Sequence, residues 1–416
     1  MHDLEYRVSE SSKIRMDTVS AMHPVRIALD FLEKDQENSI LEQISIAEVE
    51  SPTYFEHTRA RFFAKKLRSL AVRQVTIRAD GNVVGILEGT EKGCILFEAH
   101  MDTVFPFHTV GRIRREEGVL YGPGIYDNAR GLASLLATLR ALKFSGLQTR
   151  KSILIAGTVQ EESPGGSAGM KSLLDAYPSL EASVSVDGGF VEGITYNATY
   201  GANVKYTFYG SGGHAGNSFK LCTNPLAAAC YAVSMIEEIS VPDTPRTTYA
   251  STRLCSSEKS AINAIPWDCT LFVNYRSEDE GMFHALDEKI ETCIKEACAK
   301  ETKNQNGDPV TYEKELLTYM PGGKQDLHSP LVEAYYLAGK FLGAQPFFRS
   351  GGSSNANIAI SRGIPAVTAG AGRGNRKGHT LQEFFPEKNA YLFPQGLLIL
   401  LLMVAGIDGS ITSCLE

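Results

Sequence analysis

The chain has 416 residues, 43% hydrophobic and 21% charged; these ordinary globular proportions exclude a wholly disordered, collagen-like or coiled-coil protein. That length allows two or three domains and a full-sized enzyme core. Lys+Arg 41 against Asp+Glu 48 leaves a net charge of −7, and no dense basic stripe overrides it, so nucleic acid is excluded as a partner.

The chain starts with a polar segment, Met1-His2-Asp3-Leu4-Glu5-Tyr6-Arg7, without the apolar stretch of a signal peptide. Over residues 24–70, apolar side chains recur at three- and four-residue intervals (Val25, Ala28, Leu29, Leu32; later Phe62, Phe63, Leu67, Leu70), which predicts two helices. The pattern then changes to short β-rich runs, VTIRAD, NVVGIL and CILFEAH, separated by the turn signals Asp80-Gly81-Asn82 and Glu91-Lys92-Gly93. A helical stretch over 131–142, the strand KSILIAGTV, a helix near 170–176 and the strand SVSVDGG follow. Strands alternating with helices are the signature of an α/β layer with a largely parallel sheet flanked by helices.

After Gly193 the texture shifts. NVKYTFYGSGG reads as an alternating strand, 227–239 as a helix, 242–259 as a polar stretch, CTLFVNYRS as a strand and 282–300 as a helix. This predicts a smaller α+β unit inserted into the main domain. The α/β texture resumes with a helix at 331–341, a strand at 365–369 and an apolar run at 396–407. That run is shorter than the roughly 20 residues that span a bilayer, so it reads as a buried helix and no membrane is implied. The expected division is 1–196 and 325–416 for the main domain and 197–324 for the insert. The cysteines Cys94, Cys222, Cys230, Cys255, Cys269, Cys293, Cys298 and Cys414 form no CxxC pair. They read as reduced thiols of a cytoplasmic protein.

Histidines and carboxylates stand at strand ends or just beyond, where open α/β sheets place ligands: His100-Met101-Asp102, Asp127, Glu161-Glu162, Asp187 and His379. Any one of them alone reads as well as a solvated or capping residue, Asp127 as a helix N-cap. Together they are carboxylates that a cation or hydrogen bonds must compensate. His-x-Asp lets a ring nitrogen bind a metal while a carboxylate fixes the tautomer. Adjacent glutamates offer one carboxylate for a metal and one to take a proton from its water.

The motifs HMDTVFP, YGPGIYDNARGLASLL, TVQEESPGGSAGM, VSVDGG, GSGGHAGNS, AINAIP and GHTLQEF resemble, in order, the signatures of the dinuclear zinc metallopeptidases and deacylases that include tripeptidase T, carboxypeptidase G and aminoacylase. The tripeptidase-T-like branch is the most similar. The resemblance implies His100 and Asp187 on one metal, Glu162 and His379 on the other, and Asp127 bridging both. It further implies that Asp102 orients His100 and that Glu161 is the general base toward a water shared by two divalent ions, zinc first, with manganese or cobalt as alternatives. In the insert it implies that His214 reaches a neighbouring active site across a homodimer, that Asn263 and Arg276 contact a substrate carboxylate, and that the insert serves as a lid and dimerisation domain. His214 reads equally as a turn histidine and Arg276 as a surface arginine. The loop SGGSSNANI, with Ser353 and Asn355, resembles the family's Gly-rich substrate loop.

Two residues depart from the pattern. Asn355 stands where many relatives carry Asp, and Arg130 follows the Asp-Asn pair where relatives have a small residue or Lys; both bear on the substrate. His108 and Cys94 read as surface and core. The function implied is hydrolysis of peptide bonds in di- or tripeptides by an aminopeptidase. The alternatives are an N-acyl amino acid deacylase or carboxypeptidase-type amidohydrolase, and a non-catalytic binding protein on the same fold.

Overall fold

The computed structural model describes residues 6–70, 72–256, 261–370 and 377–416; the Met1–Glu5 part of the polar start lies outside them. The chain falls into two compact units, Met1–Ala198 with Lys324–Glu416, and Thr199–Gly323.

Strands covered on both faces read as continuous apolar runs, and Cys94–His100, Ser152–Thr158 and Ala182–Val186 are buried along nearly their whole length. They lie side by side and parallel near the middle of an eight-stranded mixed sheet. Its order is Arg73–Ile77, Val83–Leu87, Ser152–Thr158, Cys94–His100, Ala182–Val186, Ala366–Ala369, Gly193–Thr195, Phe347–Arg349. Because His100 is in register with Thr158, the residues following these strands emerge at the same edge. Helices Ala129–Ser145 and Leu392–Ala405 pack in the main core, the latter buried from Phe393 to Ala405. Among the described residues no helix is long and apolar enough to cross a membrane, and all eight cysteines are free thiols.

Before the first strand, Glu10–Ala21 is followed by three helices in the stretch where the periodicity predicts two: His23–Lys34, Gln36–Ala47 and His57–Arg68. Glu10–Ala21 buries only Ser12, Met16 and Val19, too narrow a stripe to show in the sequence.

The smaller unit has its own core, built on an antiparallel sheet in the order Thr247–Ser256, Asp268–Ser277, Tyr200–Tyr209, Thr311–Met320. Helices Pro225–Glu237 and Glu280–Asn304 contribute to that core, each started by a capping side chain, Asn224 and Asp279. The two outer strands correct the sequence reading, which took 242–259 as a polar stretch and found no strand near 311. Edge strands bury few of their side chains, and in these two only Thr247 is buried. The hydrophobic alternation that marks a half-buried strand is therefore weak in them.

Candidate metal centre

His100 closes its strand and is 2% exposed. From Nε2, Asp127 Oδ1 lies at 2.9 Å and Asp187 Oδ1 at 3.9 Å. Asp187 directly follows the strand Ala182–Val186 and is fixed by its N–H donating to Ala369 O at 3.0 Å. Glu161 and Glu162 follow the strand Ser152–Thr158 through Gln160, whose φ is 57°. His379, on a turn, places Nε2 3.0 Å from Glu162 Oε1 and 3.2 Å from Asp127 Oδ2. The two oxygens of Asp127 thus face different histidines.

This donor set fits divalent cations. Ligand atoms of His100, Asp127 and Glu162 lie within 4.8 Å of one another. A tetrahedral ion with ligands at about 2.1 Å separates neighbouring donors by about 3.4 Å, and the spacings above bracket that value. Without a cation the carboxylates crowd one another. Burial, with the charge of Asp127, pushes Asp187 up to about 7. Burial and the carboxylates Glu162, Asp187 and Asp102 push Glu161 well above its ordinary value, with His100 opposing. Burial also works against ionised Asp127, but hydrogen bonds from His100 and His379 hold it well below the usual carboxylate range.

Asp102 is fully buried and does more than face His100. His100 Nδ1 lies 3.1 Å from the backbone oxygen of Asp102 and 3.5 Å from its carboxylate. That carboxylate accepts the amides of Glu161 and Glu162 at 3.0 Å each, and the Thr53 hydroxyl at 3.0 Å. Glu56 accepts the next amide along the turn, Gln160 N–H, at 3.0 Å. Behind them the buried Arg59 guanidinium donates to Met101 O, Val49 O and Ala47 O. The turn carrying the paired glutamates is therefore pinned from below by two carboxylates.

The Asp127 loop is pinned in a similar way. Gly124 (φ 71°) makes the turn, and Glu383, 0% exposed, accepts the N–H groups of Gly124, Tyr126 and Asp127 at 3.3, 2.8 and 2.9 Å. Asn128 caps helix Ala129–Ser145 by accepting from Gly131 N–H and donates to Val186 O, tying the helix start to the strand before Asp187. Gly131 makes this approach possible, because a Cβ there would stand 2.5 Å from Val186 O.

Seven of the residues singled out in the sequence, His100, Asp102, Asp127, Glu161, Glu162, Asp187 and His379, thus share one place. Ser353 is exposed, whereas Asn355 is 2% exposed and donates to Glu98 at 3.0 Å and Thr158 at 2.9 Å, one layer beneath the strand ends. Arg130 points into the core, stacked 5.0 Å from the Phe385 ring and donating to Ala390 O, so its departure from the family pattern bears on packing. In the smaller unit, His214 and Asn263 are exposed neighbours: Gly213–His214 pairs with Ala264–Ile265, and Ala215 N–H donates to Asn263 O at 2.8 Å. Arg276 is exposed on the strand Asp268–Ser277. Sequence reading missed Glu56, Arg59, Asn128 and Glu383. For Glu383 the one available signal is a carboxylate four residues after His379 within GHTLQEF.

The sequence profile of Peptidase family M20/M25/M40 matches residues 96–397. Carboxypeptidase G2 of Pseudomonas sp. (strain RS-16) is 27% identical over 300 residues, covering 69% of this chain and 68% of its own. Among solved structures, aminopeptidase PepT of Bacillus cereus ATCC 10987 superposes with a TM-score of 0.70 at 24% identity, covering 88% of this chain and 97% of its own. A tripeptidase of Staphylococcus aureus Mu50 gives 0.75 at 22% identity, covering 89% and 98%. At these identities the two structures speak for the fold.

Proposed function

The chain belongs to Peptidase family M20/M25/M40, a family of metal-dependent hydrolases, and from that premise we propose that this enzyme is an aminopeptidase cleaving di- or tripeptides at a pair of divalent ions. The observation that carries the reading is Asp127, whose two oxygens face His100 and His379 at 2.9 and 3.2 Å with Glu161 and Glu162 on the adjoining turn. His100 and Asp187 would hold one ion, Glu162 and His379 the other, and Asp127 both. When bound, such ions lower the pKa of water toward about 7 and polarise the scissile carbonyl; zinc suits the imidazole and carboxylate donors, with manganese and cobalt as alternatives.

The chain's own residues supply the rest. Glu161 takes the proton from the attacking water on its carboxylate and returns it to the departing amine, general acid–base work that contributes about 10²–10⁴-fold. Asp102 keeps Glu161 in place through its backbone N–H, and Glu162 through the neighbouring one. The exposed His214, Asn263 and Arg276 of the smaller unit offer an imidazole, an amide and a guanidinium, groups that bind substrate carbonyls and carboxylates. The reading extends to a homodimer in the cytoplasm, whose reducing conditions suit eight free thiols.

The likeness to carboxypeptidase G2 favours a second reading, a carboxypeptidase-type amidohydrolase or N-acyl amino acid deacylase using the same centre. Hydrolysis by the purified enzyme of a panel of di- and tripeptides and N-acyl amino acids, with chelator and then zinc, manganese or cobalt added back, separates the two. Release of N-terminal residues, lost with chelator and regained with metal, is the expected result. Cleavage confined to acyl amino acids or to C-terminal residues transfers the assignment to the second reading, and chelator-resistant hydrolysis refutes both.

A further inference from the structure

The two loops that bring Asp127 and His379 together are far apart in sequence, and one side chain joins them. Glu383 lies four residues after His379, with its N–H donating to Thr380 O at 3.1 Å, so its backbone belongs to the His379 turn. Its carboxylate belongs to the other loop, where three N–H groups within four residues, Gly124, Tyr126 and Asp127, point at it. Gly122 N–H closes the join by donating to Glu383 O at 3.0 Å, continuing the pairing of Phe384–Pro386 with Val119–Tyr121. The Glu383 side chain is wholly enclosed, and among the described residues its carboxylate is met by these three backbone N–H groups. Burying a carboxylate is costly unless it is hydrogen-bonded, and here the three N–H groups of the other loop compensate it. What it gains is a fixed separation between a shared ligand and the histidine facing it.

On the reading of Asp127 and His379 as ligands, we infer that Glu383 is a positioning residue that sets the span of the metal pair, and that it governs occupancy of the ion shared by Asp127, Glu162 and His379. Oε1 accepts from Tyr126 and Asp127 while Oε2 accepts from Gly124. In Glu383→Gln the amide oxygen can keep the first two bonds, but the NH2 group meets the Gly124 N–H and the loop shifts. In Glu383→Asp the carboxylate stays but is one methylene short of the loop. Outer-shell partners of metal ligands typically change affinity by about 10–100-fold.

The test measures bound metal per chain and the dissociation constant of the weaker ion by calorimetric titration of zinc or manganese into the chelator-stripped protein, with the melting temperature of the stripped form as a second readout. Wild type takes two ions; Glu383→Gln and Glu383→Asp raise the weaker constant about 10–100-fold, so that content falls toward one ion per chain. Glu333→Gln is the control. Glu333 is also buried, and it accepts the N–H and hydroxyl of Ser9, so its loss lowers the melting temperature and leaves metal content at two. A lowered melting temperature in both Glu383 variants with the weaker constant within about twofold of wild type reduces Glu383 to a structural residue and overturns the inference. If Glu383→Gln does not fold, Glu383→Asp decides by the same constant. Failure of the wild type itself to take up metal overturns the ligand reading first and this inference with it.

Discussion

Replacing Asp102 tests whether the turn that carries Glu161 and Glu162 is held by its backbone. The Asp102 carboxylate accepts those two amides at 3.0 Å each and the Thr53 hydroxyl at the same distance, in a fully buried position. A hydrogen bond to a charged group contributes about 1.5–3 kcal/mol, so Asp102→Ala, which strips both amides of their acceptor, costs about 3–6 kcal/mol of folding stability. Asp102→Asn keeps one oxygen and turns an NH2 toward the other amide, so about half of that, about 1.5–3 kcal/mol, is lost. Relief of repulsion among neighbouring carboxylates works the other way. It is offset because Arg59, buried behind Met101, loses one of the two carboxylates whose charges favour its protonated form. Denaturant titration of the metal-free protein gives the stability order wild type, Asn, Ala, and hydrolysis by the metal-loaded protein falls in the same order. His100 keeps its backbone acceptor at 3.1 Å in both variants but loses the carboxylate at 3.5 Å, so denaturant titration reports the turn, whereas hydrolysis reports the turn and the imidazole together. An Asp102→Asn enzyme as fast as wild type and within about 0.5 kcal/mol of it, the range of neutral surface changes, refutes the reasoning.

Glu161→Gln lowers kcat by about 10²–10⁴-fold with metal content unchanged; turnover above a tenth of wild type removes Glu161 as the base. Leu400→Ala in the helix Leu392–Ala405, where Leu400 is 0% exposed, costs about 2–5 kcal/mol by loss of transfer energy and a cavity; a shift below about 1 kcal/mol in denaturant titration contradicts that packing. In the smaller unit, hydrogen bonds from Lys295 and then Lys314 lower Glu291 from its ordinary 4.5 to about 2. A depressed carboxylate stabilises fully above its unfolded pKa, and the contribution is lost as pH falls through the folded value. The stability difference between wild type and Glu291→Gln is therefore present at pH 6 and gone by about pH 2, and a difference independent of pH counts against the pair.

The central strands were legible because each is an apolar run with an ionisable residue at or just beyond its end, as in CILFEAH, and several such ends together call for a cation or hydrogen bonds to compensate them. The outer strands Thr247–Ser256 and Thr311–Met320 were not, because solvent on one side of an edge strand removes the pressure that writes an alternating pattern. Glu56 and Glu383 were invisible for a different reason. Their partners are backbone N–H groups 104 and 257 residues away in sequence, and a backbone donor leaves no residue-type signature. Asn355 could be seen as a departure from the family pattern, but that its amide serves Glu98 and Thr158 depends on a layer beneath the strand ends that spacing does not reveal.

The strand Ala366–Ala369 sits between Ala182–Val186 and Gly193–Thr195, so a central position of the sheet is filled by a segment made more than 170 residues after its neighbours. During vectorial synthesis the earlier strands emerge with that slot open, presenting two unpaired edges while the whole of Thr199–Gly323 is still being made. The inserted unit, contiguous in sequence and with its own core, can close on itself before the unit that surrounds it. The nascent enzyme therefore carries a finished guest within an unfinished host, and its exposure to misassembly ends only when the late strand is inserted.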